Sequence, residues 1–262
     1  MKCYLVCVWL RCLFCALLLM FGGARAEVLV LHTAAQEASA PKFIALSGSA
    51  QGAVGGLCID ILRALEKQDP ELRFQGDQVW QPRLRIERAM ADGQLDVFCG
   101  VQKNRRNRAH YQWLETPLFE VDYLLAVRAD DTVAVANWED IRRLGKDGVI
   151  LALYGFGVVD RLEQLGGLQV DASATSSLSN LKKLRAGRAR FYCHRSPGIK
   201  NEISKAGMSG EIRLLERPQL HEIFYMGLAL NLRPEVVAKL AAALRALKQN
   251  GELKRLADRY AE

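Results

Sequence analysis

Short apolar runs alternate along this 262-residue chain with segments in which apolar residues recur every three to four positions. Val28-Leu29-Val30-Leu31 reads as a strand. After a Gly-rich turn, Leu57, Ile61 and Leu65 fall on one helical face, flanked by Cys58 and Leu62, and the face stops before Pro70. Residues 72–74 return as a strand. Pro82 opens a helix through Leu84, Ile86, Ala89 and Met90 that Gly93 ends. Asp96-Val97-Phe98-Cys99 is the next strand, and residues 123–127 another, after which the composition turns polar at Arg128, Asp130 and Asp131. A second unit follows: a strand at 149–154, a Gly155-Phe156-Gly157 turn, helices at 158–165 and 178–186, and a strand at 190–194. Residues 224–230 are the returning strand. Val236, Val237, Leu240, Leu244 and Leu247 then line a helix that Gly251 breaks.

Alternating strands and helices predict an α/β fold with mostly parallel sheets. Two units of similar size joined by two extended crossings predict a two-lobed clamshell. Residues 27–125 and 228–262 form lobe 1 in this reading and 126–227 form lobe 2, with a hinge crossing at each end of lobe 2. Helix N-termini facing such a cleft offer free N–H groups to anions, and ligands favour domain interfaces.

The opening stretch changes the charge and the cysteine count. Lys2 and Arg11 supply a positive segment, residues 12–21 an apolar one, and Ala24-Arg25-Ala26 a cleavage site, the layout of a secretory signal peptide. The apolar run is shorter than the roughly 20 residues that span a bilayer. Glu27 is the expected first mature residue and the periplasm the expected compartment. Cleavage takes the net charge from +7 to +4 and leaves Cys58, Cys99 and Cys193 of the seven cysteines. The remaining basic balance is dispersed, which argues against nucleic acid as a partner. Each remaining cysteine sits in an apolar element, so buried unpaired residues are the favoured reading, with one pair left open.

Several segments, in order and at the right spacing, resemble the family 3 extracellular solute-binding proteins, the periplasmic receptors of polar amino acid ABC transporters. They are Gly56-Leu57-Cys58-Ile59-Asp60-Ile61-Leu62; Trp80-Gln81-Pro82-Arg83 through Gly93-Gln94-Leu95-Asp96; Gly100 through Arg108 to Leu114-Glu115-Thr116-Pro117; Glu139-Asp140-Ile141 through Gly145-Lys146 to Gly155-Phe156-Gly157; Gly187-Arg188-Ala189-Arg190; and residues 244–260. The resemblance covers the mature chain from about Val28 to Tyr260. It implies the type II periplasmic-binding fold, a monomer, no cofactor, and a small-molecule ligand passed to an inner-membrane permease or read by a sensor protein.

The resemblance also implies a site. Arg108 stands seven residues before Glu115, where the family grips a ligand carboxylate with an arginine, a bidentate pairing that is strong in a dry cleft. Lys103 stands where the family usually places a hydroxyl residue. Arg195 stands where amino acid receptors hold the α-ammonium with an aspartate. Arg108 and Arg195 are therefore expected to face each other across the cleft around an anionic, carboxylate-bearing ligand. Arg83, Trp80, Phe156 and Gly157 complete the expected binding set; a local acid such as Glu222 is the other partner open to Arg195.

Catalysis finds little support. His110, His194, His221 and Glu115 are the acid–base candidates, and no metal or nucleophile motif organises them. The reading is a binding protein with no catalytic or metal-ligating residue; its alternatives are a ligand-sensing module for a signalling partner or a dehydratase-like enzyme on the same fold.

Overall fold

A computed structural model describes residues 28–46, 52–103, 107–216 and 220–261. The expected signal peptide lies outside the described residues.

The chain opens with β1 (Leu29–His32), β2 (Ala35–Gln36), β3 (Ile44–Ala45), β4 (Val54–Gly55) and α1 (Leu57–Gln68). Next come β5 (Leu72–Gln75), β6 (Trp80–Gln81), α2 (Arg83–Ala91), β7 (Val97–Gln102), β8 (Gln112–Trp113) and the long β9 (Phe119–Arg128). The middle of the chain holds α3 (Trp138–Arg143), β10 (Ile150–Leu153), α4 (Gly157–Leu165), β11 (Val170–Ala174) and α5 (Ser177–Arg185). β12 (Phe191–Ser196), α6 (Ile199–Lys205) and β13 (Ile212–Leu214) follow, and β14 (Leu220–Leu228), α7 (Pro234–Gln249) and α8 (Glu252–Asp258) complete it.

β1 pairs parallel with β5, β2 with β6, and β10 with both β11 and β12. β9 and β14 add antiparallel pairings that alternation alone does not announce. Asp122–Ala126 of β9 lie along β12, and Phe119–Tyr123 lie along Leu220–Phe224 of β14. β14 then runs on beside β7, so a single eight-stranded sheet links the first and middle parts of the chain.

α1 buries Leu57, Cys58, Ile61, Leu62 and Leu65, the face its period predicts. No side chain caps its start. Its first two N–H groups donate instead to the carbonyl oxygens of Pro41 and Lys42, at 3.0 and 2.9 Å. Gly56 makes that approach possible: its φ is 109°, and a Cβ there would stand 2.6 Å from the Lys42 oxygen. The C-terminal helices return to the same element. Lys239 of α7 reaches Asp69 at 3.2 Å, while Arg259 and the Tyr260 hydroxyl each reach Asp60 at 2.9 Å.

The expectation of three unpaired cysteines is corrected. Cys58 and Cys99 form a disulfide with Cα atoms 5.8 Å apart, joining the first turn of α1 to the centre of β7. Each was legible as a buried residue of its own element. That α1 lays its first turn on β7 is a tertiary fact that the spacing of 41 residues does not carry. Cys193 is free and buried, and burial pushes its thiol up to about 12.

Candidate functional site

α2 begins at Arg83 because Pro82 pre-sets the backbone and lacks the N–H that a first turn cannot use. Its buried face carries Arg83 and Glu87 one turn apart, paired Nε to Oε1 at 2.8 Å. Buried ions need such partners. One of them remains incompletely matched: Arg83 Nη2 is buried and has no hydrogen-bond partner among the described residues.

The β2–β6 ladder sets Gln36 beside Gln81. Gln36 Oε1 accepts from Lys42 Nζ at 2.8 Å, which fixes the amide orientation because an ammonium can only donate. Gln36 Nε2 is left buried without a partner among the described residues, as are Gln81 Oε1 and Thr33 Oγ1. Such orphaned atoms cost free energy.

Lys42 also donates to the Gly100 carbonyl at 2.9 Å, and its ammonium stands 5.6 Å from the centroids of both Phe98 and Phe224. Burial, then the charges of Arg195 and Arg83, hold its pKa well below the usual lysine range. Arg195, near the end of β12, crosses to the first part of the chain. Its Nε and Nη2 donate to the Ala40 carbonyl at 3.0 and 2.7 Å, and Nη2 also reaches that of Ala38 at 3.3 Å. Its guanidinium lies over the Phe156 ring at 5.6 Å. Tyr123, buried between the arginines, is pushed up to about 12 by burial and stays neutral.

The expected site residues therefore divide. Arg83, Arg195 and Phe156 belong to the buried cluster. Gly157 joins them, because a Cβ there would overlap Gln102 and come within 3.7 Å of Arg83 Nη1. Trp80 is half-buried on the β2–β6 ladder and packs against the core. Lys103 pairs with Glu115 at 2.6 Å and sits over Tyr225 at 4.1 Å. Arg108 is exposed, over Trp113 at 5.7 Å. The expected confrontation of Arg108 with Arg195 is thus drawn differently: the cations that act on Lys42 are Arg195 and Arg83, while Arg108 and Lys103 line a neighbouring cavity of about 980 Å³ with Gln102, Gly157 and Arg161. Glu222, the local acid considered for Arg195, pairs with Arg161 at 3.3 Å.

Sequence reasoning missed Lys42, Gln36, Gln81 and Glu87. One signal was present for Lys42, a lone charge inside Ala40-Pro41-Lys42-Phe43-Ile44. His194, one of the acid–base candidates, is buried and pushed down to about 3 by burial and by Arg195, and its Nδ1 donates to the Arg195 carbonyl at 3.1 Å. It is neutral at physiological pH and already engaged.

These features define a two-lobed α/β fold with a buried polar cluster. The chain belongs to the bacterial extracellular solute-binding proteins, family 3, whose pattern matches residues 33–262. No curated protein matches the sequence. Among solved structures it is similar to an ABC transporter binding component from Wolinella succinogenes complexed with lysine, at a TM-score of 0.70 and 15% identity over 90% of this chain and 96% of that one. An ancestral arginine-binding protein bound to glutamine matches at 0.68 and 15%, over 88% and 97%. The ancestral amino-acid-binding protein AncCDT-1, a precursor of cyclohexadienyl dehydratase, matches at 0.68 and 15%, over 89% and 95%. At such identities the likeness is one of fold.

Proposed function

We propose that this solute-binding protein captures a small carboxylate-bearing anion between its lobes and delivers it to an ABC-type permease in the inner membrane. One observation carries the reading: Lys42, Arg83 and Arg195 are all buried, with Glu87 held by Arg83 and Glu202 acting on Arg195. An uncompensated buried charge is costly, and an anion offsets it. Arg83 Nη2 and Gln36 Nε2, donors without a partner among the described residues, would receive the carboxylate, with Phe156 and Gly157 closing over it. Arg108, Lys103 and Trp80 serve as outer contacts. The basic cluster sets the expected ligand apart from the lysine and glutamine held by the structural relatives.

The protein works as a monomer in the periplasm after losing residues 1–26. Lobe 1 comprises residues 27–125 and 228–262, and lobe 2 residues 126–227. The packing of α7 and α8 on α1 supports the C-terminal part of that division. The two crossings at the ends of lobe 2 serve as the hinge.

A thermal-shift screen of carboxylates, zwitterionic and cationic amino acids, and neutral solutes tests the reading. Ligand at one hundred times Kd stabilises by about 2.7 kcal/mol, a rise of about 5–10 °C in Tm for a chain of this size. Carboxylate anions are expected to protect. Protection by lysine or arginine alone would overturn the reading.

A further inference from the structure

We propose that Arg195 is an interlobe latch: its guanidinium grips the Ala38–Ala40 turn of lobe 1 and holds the lobes together with no solute required between them. The inference uses the lobe boundaries proposed above and is independent of the ligand's charge.

The turn is braced from within. Ser39 Oγ donates to the Gln36 carbonyl at 2.6 Å, and the Lys42 N–H donates to the Ser39 carbonyl at 2.9 Å. Ala38 sits at a φ of 50°, a conformation that alanine rarely adopts. Its carbonyl and that of Ala40 meet at one guanidinium.

The approach from lobe 2 is as specific. Arg195 is in register with Tyr123 of β9, so its backbone is fixed beside the first crossing and the side chain alone reaches across. Its own lobe steadies the guanidinium: the Phe156 ring lies 5.6 Å away, and the charge of Glu202 on α6 acts on it. Nε and Nη2 both donate to the Ala40 carbonyl, at 3.0 and 2.7 Å, and Nη2 also reaches that of Ala38 at 3.3 Å. Those two nitrogens form one of the edges by which a guanidinium grips a carboxylate. Here a carbonyl of the protein occupies that edge. Gly198, which opens α6, comes to the same atom. Its φ is 122°, and a Cβ there would stand 3.0 Å from the Ala40 oxygen. Two residues of lobe 2 thus converge on one atom of lobe 1.

Arg195 is buried, so its hydrogen bonds are charge-assisted and shielded from water. Opening the lobes breaks them, and they therefore weight the equilibrium toward the closed arrangement. Both acceptors belong to the chain, which makes this bias a property of the protein. A site already held closed asks less of the solute that fills it.

Small-angle scattering tests the latch. Mature protein, residues 27–262, is dialysed exhaustively and measured without added solute as wild type, Arg195→Met and Gly198→Ala. The wild type is expected to have the smallest radius of gyration. Both variants are expected to have a larger one, with unchanged far-ultraviolet circular dichroism and a single cooperative melt. Arg195→Lys keeps the charge but not the fork, and is expected to fall between wild type and Arg195→Met. Equal radii for wild type and Arg195→Met overturn the proposal, as does opening in Gly198→Ala alone. If Arg195→Met does not melt cooperatively, Arg195→Lys against the wild type decides by the same comparison. No solute enters the experiment, so the latch stands or falls apart from the anion reading.

Discussion

Two groups of cations adjoin in space, yet they differ in their surroundings. Lys103 and Arg108 sit on aromatic rings at the edge of an open cavity, where Lys103 has its own exposed carboxylate, Glu115. Lys42, Arg83 and Arg195 are buried among backbone carbonyls, glutamine amides and aromatic rings. At a separation of about 4 Å, a charge pair is worth about 1 kcal/mol in water and about 4 kcal/mol at an effective dielectric of 20. Residue type does not separate the two groups; solvent does. In the proposed reading the solvated pair would steer a ligand, whereas the buried trio would discriminate among ligands by charge.

Arg83 should show the largest effect. Arg83→Ala removes the guanidinium that holds the buried Glu87 carboxylate, which is expected to cost about 3–5 kcal/mol of folding stability and to abolish anion protection. Replacing both partners, Arg83→Met with Glu87→Leu, should restore most of the stability without restoring binding. Thermal denaturation with and without the anion separates the two effects. A stable Arg83→Ala protein that still binds would place Arg83 in the exposed class.

Next is the framework that holds Lys42. Converting Cys58 and Cys99 to alanine should cost about 2–5 kcal/mol, read by chemical denaturation under non-reducing conditions. Because Cys99 precedes Gly100, the acceptor of the Lys42 ammonium, the variant should also bind the anion more weakly. Gly56→Ala is expected to cost about 1–3 kcal/mol, since it forces a Cβ against the Pro41 and Lys42 carbonyls at a positive φ. A neutral outcome would mean that the α1 start is less tightly held than its contacts imply.

How much of this was legible beforehand follows from what each signal reports. The periodicity of Leu57, Ile61 and Leu65 reports a face of α1, and the structure buries that face. Pro82 and Gly93 mark the ends of α2, which runs Arg83–Ala91. Arg195 was singled out because it departs in charge from the family pattern, and it lies in the buried cluster. Periodicity says nothing about which strands pair across the chain. The β2–β6 ladder that aligns Gln36 with Gln81 was therefore invisible, as was the α1–β7 contact that joins two cysteines. Arg108 shows the limit of register: counting from a motif finds a position in the sequence, but whether that position is buried depends on the surrounding turn. Here it is a short 3₁₀ segment on the surface.

The smaller predictions concern the exposed class. Arg108→Ala should weaken binding by no more than about threefold, as expected for a solvated cation. His221 offers a pH test on the β9–β14 ladder. The Asp122 carboxylate at 2.9 Å, with Glu120 at 3.2 Å, raises its pKa above the ordinary value. Its contribution to stability is then fully present below the unfolded histidine pKa and is lost as pH rises through the higher folded value. The Tm difference between wild type and His221→Ala should be largest in mild acid and vanish in alkali. A difference that grows with pH would reverse the sign and remove the ion-pair assignment.

The most direct measurement is a crystal structure of the protein grown with whichever carboxylate protects it best. The account predicts a negatively charged group between the lobes, within hydrogen-bond distance of Arg83 Nη2 and Gln36 Nε2 and flanked by Lys42 and Arg195. An anion held only by Lys103 and Arg108, with the buried cluster unchanged and untouched, would contradict it.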